Sequence, residues 1–370
     1  MRQLRTYLAV VLALSLVAAA CGDDAGGDTT TTAAAVTTTA APTTTTEADP
    51  RADWPDELVF GFVPSREAEE LQDNVDILAQ VLADALDMEV SGIVTSDYTA
   101  LGVALGTGAA QIGAFAPANY VLASRIYDNI ELLAQSVRFG SATYHAQYFT
   151  NDPSVCGADP VEGAFEYDEA GTVIAVAPTD TPALQVGWNA DGTRDAAVSA
   201  GLACPEPVDI SVIEGRSIAF GSETSTSGYI FPVLELMAAG LTQDVDYESF
   251  YSGSHDNSVL SVYNGDTDFG VSFDDARRNV REANPDVGAK VIVFNITAPI
   301  ANDVIAVDAN LPANLKDAIF DAIAAFMATE EGKIVMDDIY SWTDLIRADD
   351  ITRASFALIE AAIDQLGFGS

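Results

Sequence analysis

The chain has 370 residues, more than one hydrophobic core usually holds, so two lobes are expected. It carries 56 acidic residues against 16 lysines and arginines, a formal net charge of −40. Such a surface excludes nucleic acid and anionic lipid headgroups as partners and repels anionic ligands at long range, so an anion site must work by local geometry.

The N-terminus reads as an export signal. Arg2 and Arg5 precede an apolar run from Leu8 to Val17, and Ala18-Ala19-Ala20 stands directly before Cys21. Residues 1–20 are expected to be removed. A cysteine at that point resembles the bacterial lipoprotein signal, with alanine where leucine is usual three positions before it. Cys21 would then be the lipidated new N-terminus; an ordinary secretory signal with an incidental cysteine is the alternative. From Gly22 to Asp53 the chain is nearly all Thr, Ala, Gly and acidic residues, with Val36 its one large apolar side chain. Such a segment cannot bury enough surface to offset chain entropy, so 21–53 is expected to be a disordered tether. No later stretch is long and apolar enough to span a bilayer. The expected location is extracytoplasmic, held to the outer face of the cell membrane by the lipid alone.

With Cys21 acylated, Cys156 and Cys204 remain as a pair in an oxidising compartment. A disulfide closing a surface excursion over about 151–212 is expected, two free thiols being the alternative. Two histidines and no further cysteine argue against a zinc site, and neither metal nor cofactor is expected.

From Trp54 onward short apolar strands alternate with amphipathic helices. Glu57–Val63 reads as a strand, and Leu71, Val75, Leu78, Val81, Leu82 and Leu86 fall at helical spacing. Strands are expected at Glu89–Val94, Gln111–Phe115, Glu131–Val137 and Tyr144–Phe149, with helices from about Tyr98 to Leu105 and from Pro117. Within the excursion, Val173–Ala177 and Leu184–Gly187 are expected to pair as a hairpin with the disulfide at its base, decorating the second lobe. A second series follows: strands at Arg216–Phe220, Asp268–Val271, Lys290–Phe294 and Asp303–Val307, and helices at Gly228–Ala239, Ser258–Tyr263 and around Asp275–Asn284. Everything after Pro312 reads as helical. This alternation implies parallel βαβ units and an α/β fold. Gly108, Gln111, Ile112 and Gly113 after one helix are echoed by Gly265, Asp268, Phe269 and Gly270 after another, as two similar lobes would require.

The strongest local signal is Ser222-Glu-Thr-Ser225-Thr226-Ser227-Gly228-Tyr229, between a strand and an apolar helix. Hydroxyls there cap the helix, the N–H groups of its first turn point outward, and Gly228 lets backbone approach closely. The result is a neutral, donor-rich nest at the positive end of a helix dipole, suited to an oxyanion. Ordinary helix capping is the alternative. No lysine follows the glycine, so this is not a P-loop. Gly253-Ser254-His255-Asp256 precedes another helix, where His255 either donates to a ligand oxygen or faces solvent.

Ser225-Thr226-Ser227-Gly228 followed by Gly253-Ser254-His255 resembles the phosphonate-, phosphite- and phosphate-binding proteins of ABC transporters, the phosphonate-binding family. Further matches lie in order: Gly61–Pro64, Ser96–Tyr98, Gly113–Tyr120, Gly140–Tyr144, Asn264–Asp268 and Ala298–Asp303. The resemblance implies a two-lobed, type II periplasmic binding protein of the venus-flytrap kind, hinged by two strands. Its lobes would be 54–149 with 297–370, and 150–296, the chain crossing near Tyr148–Asn151 and Ile296–Ala298. It also implies that Ser225, Thr226, Ser227 and His255 hold the phosphoryl oxygens and that Tyr98 and Tyr144 close over the ligand. Two carboxylates meet the ammonium of an aminophosphonate in that family; Asp303 and Asp275 are the counterparts, Asp274 being an equal candidate. Asp275 stands where the aminoalkyl-binding member has glutamate, and Arg277 and Arg278 sit one helical step away, placed to neutralise it.

The expected partners are a phosphorus oxyanion, an ABC permease and its ATPase, the protein acting as a monomer and not as an enzyme. A serine hydrolase built on Ser227, His255 and Asp275 is disfavoured because no Gly-x-Ser-x-Gly elbow is present. A lipoprotein sensor of the same anions is the other alternative.

Overall fold

The computed structural model describes residues 49–167, 173–179, 181, 184–187, 200–348 and 356–367. The expected signal, Cys21 and the tether up to residue 48 lie outside the described residues; residues 49–53, expected to be part of the disordered tether, are instead folded onto the domain, where Asn314 donates to the Pro50 carbonyl and Arg51 pairs with Asp87. Among the described residues no helix is long and apolar enough to cross a membrane.

The chain opens with β1 (Glu57–Phe62), whose Leu58, Phe60 and Phe62 are fully buried. Helix α1 (Ala68–Leu86) buries Leu71, Val75, Leu78, Leu82 and Leu86, the stripe its spacing predicts. β2 (Glu89–Val94), α2 (Tyr98–Gly106), β3 (Ile112–Phe115), α3 (Pro117–Ile126) and β4 (Ile130–Val137) follow. β1 pairs in parallel with both β2 and β3. Every residue of β3 is buried, as expected for a strand covered by helices on both faces.

The chain then passes through β5 (Thr143–Tyr144) into a second sheet at β6 (Ala146–Thr150). The excursion contributes β7 (Val161–Glu162), β8 (Ala164–Tyr167), β9 (Val173–Ala177) and β10 (Leu202–Ala203). β11 (Ser217–Phe220), α4 (Phe231–Ala238), β12 (Glu248–Tyr251), α5 (His255–Asn264), β13 (Phe269–Phe273), short α6 (Arg277–Val280) and α7 (Val287–Lys290), and β14 (Ile292–Ile296) complete this lobe. The chain returns through β15 (Ile300–Ala301) to β16 (Val304–Asp308), then α8 (Ala313–Met327), α9 (Glu330–Tyr340), β17 (Asp344–Arg347) and α10 (Ala357–Leu366).

The first sheet runs β17-β4-β16-β3-β1-β2 and the second β12-β11-β13-β6-β14-β10-β7. Set β2-β1-β3-β16-β4 beside β12-β11-β13-β6-β14 and the lobes match in order and sense. In each, the first three strands are parallel and the fourth, antiparallel, is the strand delivered from the other lobe. The glycine echo falls at equivalent places, α2 leading to β3 and α5 to β13. Helices leaving the carboxyl ends of the parallel strands therefore aim their N-termini into one cleft, where open α/β sheets hold ligands. β5 and β15 pair antiparallel where the chain crosses between lobes.

Three expectations are corrected here. Tyr148 is not at a crossing but inside β6, so residues 146–149 belong with the second sheet and the first crossing is 138–145. Val173–Ala177 pairs with β8, not with Leu184–Gly187; the run Ala164–Tyr167 alternates too briefly to be seen as a strand without its partner. The tail after Pro312 is not all helix, because β17 adds to the edge of the first sheet beside β4. Only Leu345 of that strand is buried, so pairing and not hydrophobic pattern fixes it.

Cys156 and Cys204 form a disulfide with a Cα–Cα distance of 4.9 Å across 48 residues of sequence. It ties the turn after β6 to β10, and Cys204 N–H donates to the Val293 carbonyl of β14 at 2.8 Å. For a loop of that length, replacing both cysteines by serine is expected to remove roughly 2–4 kcal/mol from equilibrium unfolding. A loss below about 1 kcal/mol would show that the excursion melts apart from the lobe that carries it.

Candidate functional site

A cavity of about 30 Å³ lies between the lobes. Tyr98 and His255 are the first residues of α2 and α5, and Ser225 caps the turn that leads into α4. Arg138 directly follows β4, Tyr144 lies on the hinge, and Asp303 precedes β16; all six line the cavity, as does Ser227. Four separate segments of the first lobe and hinge and two of the second lobe thus converge, as the shared topology requires.

The turn before α4 is a π-helical one, Thr226–Ile230. Ser225 Oγ accepts from Gly228 N–H at 3.1 Å, and Tyr229 and Ile230 N–H both donate to the Ser225 carbonyl. As at any helix start, the leading N–H groups have no intrahelical acceptor and present a positive end. A β-carbon on Gly228 would lie 2.9 Å from Ser225 Oγ and 3.2 Å from His255 Cε1, so any side chain there would push on both site residues. Ser225 Oγ is 3.4 Å from His255 Nε2 and is also hydrogen-bonded to Tyr98, while Tyr144 donates to Ser227 Oγ at 3.3 Å.

The lobes touch around this cavity. Ala118 N–H, in α3, donates to Thr226 Oγ1 at 2.9 Å, and His255 N–H donates to the Ser65 carbonyl at 3.2 Å. Asp256 takes the Glu67 N–H of the opposite lobe and the Asn279 amide at 2.8 Å; burial raises its carboxyl to about 6. Arg278 reaches across to Ser341 and Asp337 of α9.

Arg138 dominates the electrostatics. It is 7% exposed, and its guanidinium lies 5.2 Å from the Tyr144 ring centroid and 5.0 Å from that of Phe273. Its Nε is buried and bonded to no group among the described residues. Burial raises the Asp303 carboxyl, opposed by Arg138 and by Trp342, whose Nε1 donates to Asp303 Oδ2 at 3.3 Å. Burial also lifts the phenols of Tyr98 and Tyr144, keeping both as donors. His255 is pushed down to about 3 by burial, reinforced by Arg138, and is therefore a neutral imidazole. The cavity is lined by two arginines, three phenols, serine hydroxyls and a helix start, matched to a tetrahedral oxyanion.

The depressed imidazole has a consequence for stability. Unfolded, the ring titrates near ~6.5, so its contribution is whole above that pH and is lost as pH falls toward 3. The difference in unfolding free energy between wild type and His255→Gln is expected to slope by up to about 1.4 kcal/mol per pH unit across that window. A flat difference between pH ~4 and ~6 would contradict a buried, neutral ring.

Of the site residues expected from sequence, Tyr98, Tyr144, Ser225, Ser227, His255 and Asp303 come together. Thr226 does not line the cavity; its hydroxyl is spent on Ala118. Asp275 is corrected: it is buried away from the cavity in an ion pair with Arg277, Nη2 to Oδ2 at 2.6 Å. Arg277 also donates to the Val291, Leu202 and Ala200 carbonyls, so the pair is a clasp within the second lobe. Asp274 turns instead to His145 Nδ1 at 3.4 Å. Arg138, Arg66, Ser65 and Tyr340 line the cavity without having been expected. Arg138 had a signal: it lies two residues before Gly140–Tyr144, in a chain with only 16 cations.

Two hinged α/β lobes closed on an oxyanion-suited cavity define the solute-binding proteins of the two-lobed, type II architecture. The chain belongs to the phosphonate-binding family, described as periplasmic substrate-binding proteins of phosphonate ABC transporters, whose profile matches residues 60–352. It is similar to the phosphate-import protein PhnD of Mycolicibacterium smegmatis, 23% identical over 232 residues. That match covers 60% of this chain but only 56% of the relative. Among solved structures, PhnD1 of Prochlorococcus marinus, determined with methylphosphonate, has a TM-score of 0.63 at 19% identity, covering 85% of this chain and 99% of that one. A binding component of a Pseudomonas aeruginosa ABC phosphonate transporter has a TM-score of 0.61 at 15% identity, covering 82% and 85%. These likenesses bear out the expected two-lobed fold.

Proposed function

We propose that this protein captures a phosphorus oxyanion, a phosphonate, phosphite or phosphate, in the cavity between its lobes and delivers it to an ABC permease and its ATPase. The observation that carries this reading is Arg138, a buried cation in a cavity that serine hydroxyls and a helix start also line. Relatives named for phosphate import and solved with methylphosphonate support the ligand class.

Ser225, Ser227 and the first turn of α4 hold phosphoryl oxygens from the second lobe, and His255 donates or accepts as a neutral ring. Arg138 neutralises the charge, while Tyr98 and Tyr144 complete the coordination. Asp303 accepts the proton of a monoprotonated ligand or meets an ammonium. Ligand contacts made by both lobes favour the closed arrangement over an open one, since only differential binding shifts that equilibrium. A diacylated Cys21 and a tether ending before Pro50, whose carbonyl accepts from Asn314, keep the loaded monomer at the membrane, where the permease reads the closed surface.

The hydrolase alternative lacks its orienting acid. His255 Nδ1 has no partner among the described residues, Asp275 is engaged by Arg277, and an imidazole held at about 3 is a poor base near neutrality. The sensor alternative uses the same site and differs only in partner. Calorimetric titration with 2-aminoethylphosphonate, methylphosphonate, phosphite, phosphate and sulfate tests the reading. Tight binding of a phosphorus anion but not sulfate is expected; silence across the panel from a folded protein would overturn it.

A further inference from the structure

The first turn of α5 reaches the opposite lobe. Ser254 caps it by accepting Asn257 N–H at 3.2 Å, and His255 N–H donates to the Ser65 carbonyl of the first lobe. Asp256, the next residue, is 3% exposed and sits where the two lobes meet. Its carboxylate takes the Glu67 N–H from the first lobe and the Asn279 side chain from the second, the latter at 2.8 Å. Asp256 does not line the anion cavity, so contact with the ligand is not its role.

Opening the lobes withdraws Glu67 and returns this carboxylate to water, whereas closing buries it. Burial costs the ionised form more than the neutral one unless opposite charge compensates. Here the compensation is divided. Arg66 is the cation that faces Asp256, but its guanidinium donates to the Asp338 and Asp337 backbone carbonyls of α9 and is shared with those two side-chain carboxylates. Glu67 repels it from the first lobe, where the Tyr98 phenol also faces it, and Asn279 is neutral. Desolvation outweighs these partners and lifts the carboxyl to about 6 in the closed arrangement, against about 3.9 for an aspartate in water. A group whose pKa rises on closure holds its proton more tightly in the closed state. Closure and protonation therefore assist each other between those two values and are independent above the higher one.

We propose that Asp256 is a proton-binding site coupled to anion capture: closing on the oxyanion takes up a proton at Asp256, and the ligand is held more tightly in acidic surroundings. This rests on the oxyanion reading of the cavity, whose occupation draws the lobes together.

Calorimetric titration with methylphosphonate at pH ~5, in two buffers of different ionisation enthalpy, counts the protons taken up. Wild type is expected to take up about 0.8 of a proton more per ligand than Asp256→Asn, from carboxyl values of about 6 closed and about 3.9 open. The ligand's own protonation, Asp303 and His255 are common to both proteins and drop out of that difference. From pH ~7 to ~5 the affinity of wild type should rise roughly tenfold relative to that of the variant. Asn279→Ala removes a hydrogen bond that favours the ionised form and stays clear of the anion cavity, so it should extend the uptake to higher pH. Equal uptake by wild type and Asp256→Asn would overturn the proposal while the oxyanion reading stands. Should Asp256→Asn not fold, uptake by Asn279→Ala no greater than that of wild type at pH ~6.5 would overturn it in the same way. No binding of methylphosphonate, phosphite or phosphate at any of these pH values would overturn the oxyanion reading, and this proposal with it.

Discussion

Arg138→Met is expected to weaken phosphonate binding by roughly 100-fold, equivalent to about 3 kcal/mol, while the protein stays folded. The guanidinium lines the oxyanion cavity together with Arg66 and is the more buried of the two, 7% exposed. In a chain of net charge −40, long-range attraction cannot bring an anion in. Affinity must come from a short, desolvated contact, and charge-assisted hydrogen bonds are about twice as strong as neutral ones. Methionine fills much of the same volume but removes the guanidinium fork, which lies over the Tyr144 and Phe273 rings. Without ligand the variant loses a buried cation whose Nε is unsatisfied but also two ring contacts and the support of Asp303, opposing effects that should leave its unfolding temperature within a few degrees of wild type. Arg138→Lys should fall between, since a point charge is retained without the planar geometry. Calorimetry and thermal unfolding on the same samples separate the two effects. Undiminished binding by Arg138→Met would remove this residue from the site.

Trp342→Ala is expected to cost about 3–5 kcal/mol of stability, the range for deleting a large buried aromatic side chain. Trp342 is 1% exposed, packs edge-on against Tyr340 with centroids 5.6 Å apart, and donates to Asp303 Oδ2. Its removal leaves a cavity and also takes a donor from a buried carboxylate beside the anion site. Trp342→Phe restores most of the volume without the N–H, so its stability loss should be smaller while Asp303 remains unsupported. Denaturant unfolding of both variants measures the first effect, and phosphonate titration of Trp342→Phe measures the second. A loss under about 1 kcal/mol for Trp342→Ala would mean that the ring is not part of the core that holds α9 and β17.

How far the fold was legible follows from the kind of signal each element carries. α1 declares itself through Leu71, Val75, Leu78, Leu82 and Leu86 because one buried face imposes a helical period. β3 and β13 read as strands because both their faces are buried. β17 and the β8–β9 pair have no such pattern; β17 buries a single residue, and both are fixed by a partner strand distant in sequence or of irregular register. The glycine echo was legible because equivalent turns in two lobes need the same left-handed position, φ 79° at Gly108 and 80° at Gly265.

For the site, the hydroxyl nest and His255 were legible because helix starts use a small residue vocabulary. The carboxylate was not. Sequence places Asp274 and Asp275 side by side after β13, but only packing decides which way each turns, and Arg277 takes Asp275 into the lobe interior. Arg138 was overlooked for a related reason. It lies at the end of a strand, outside the hydroxyl-rich turns, and its burial depends on hinge geometry that no local pattern encodes.

The most direct measurement is a crystal structure of the protein with saturating methylphosphonate. The phosphoryl oxygens are predicted to lie within hydrogen-bond distance of Arg138 and of the Ser225–Ser227 turn, with Tyr98 and Tyr144 closing over them. A phosphonate bound elsewhere, or an inter-lobe cavity free of it at saturation, would contradict the account.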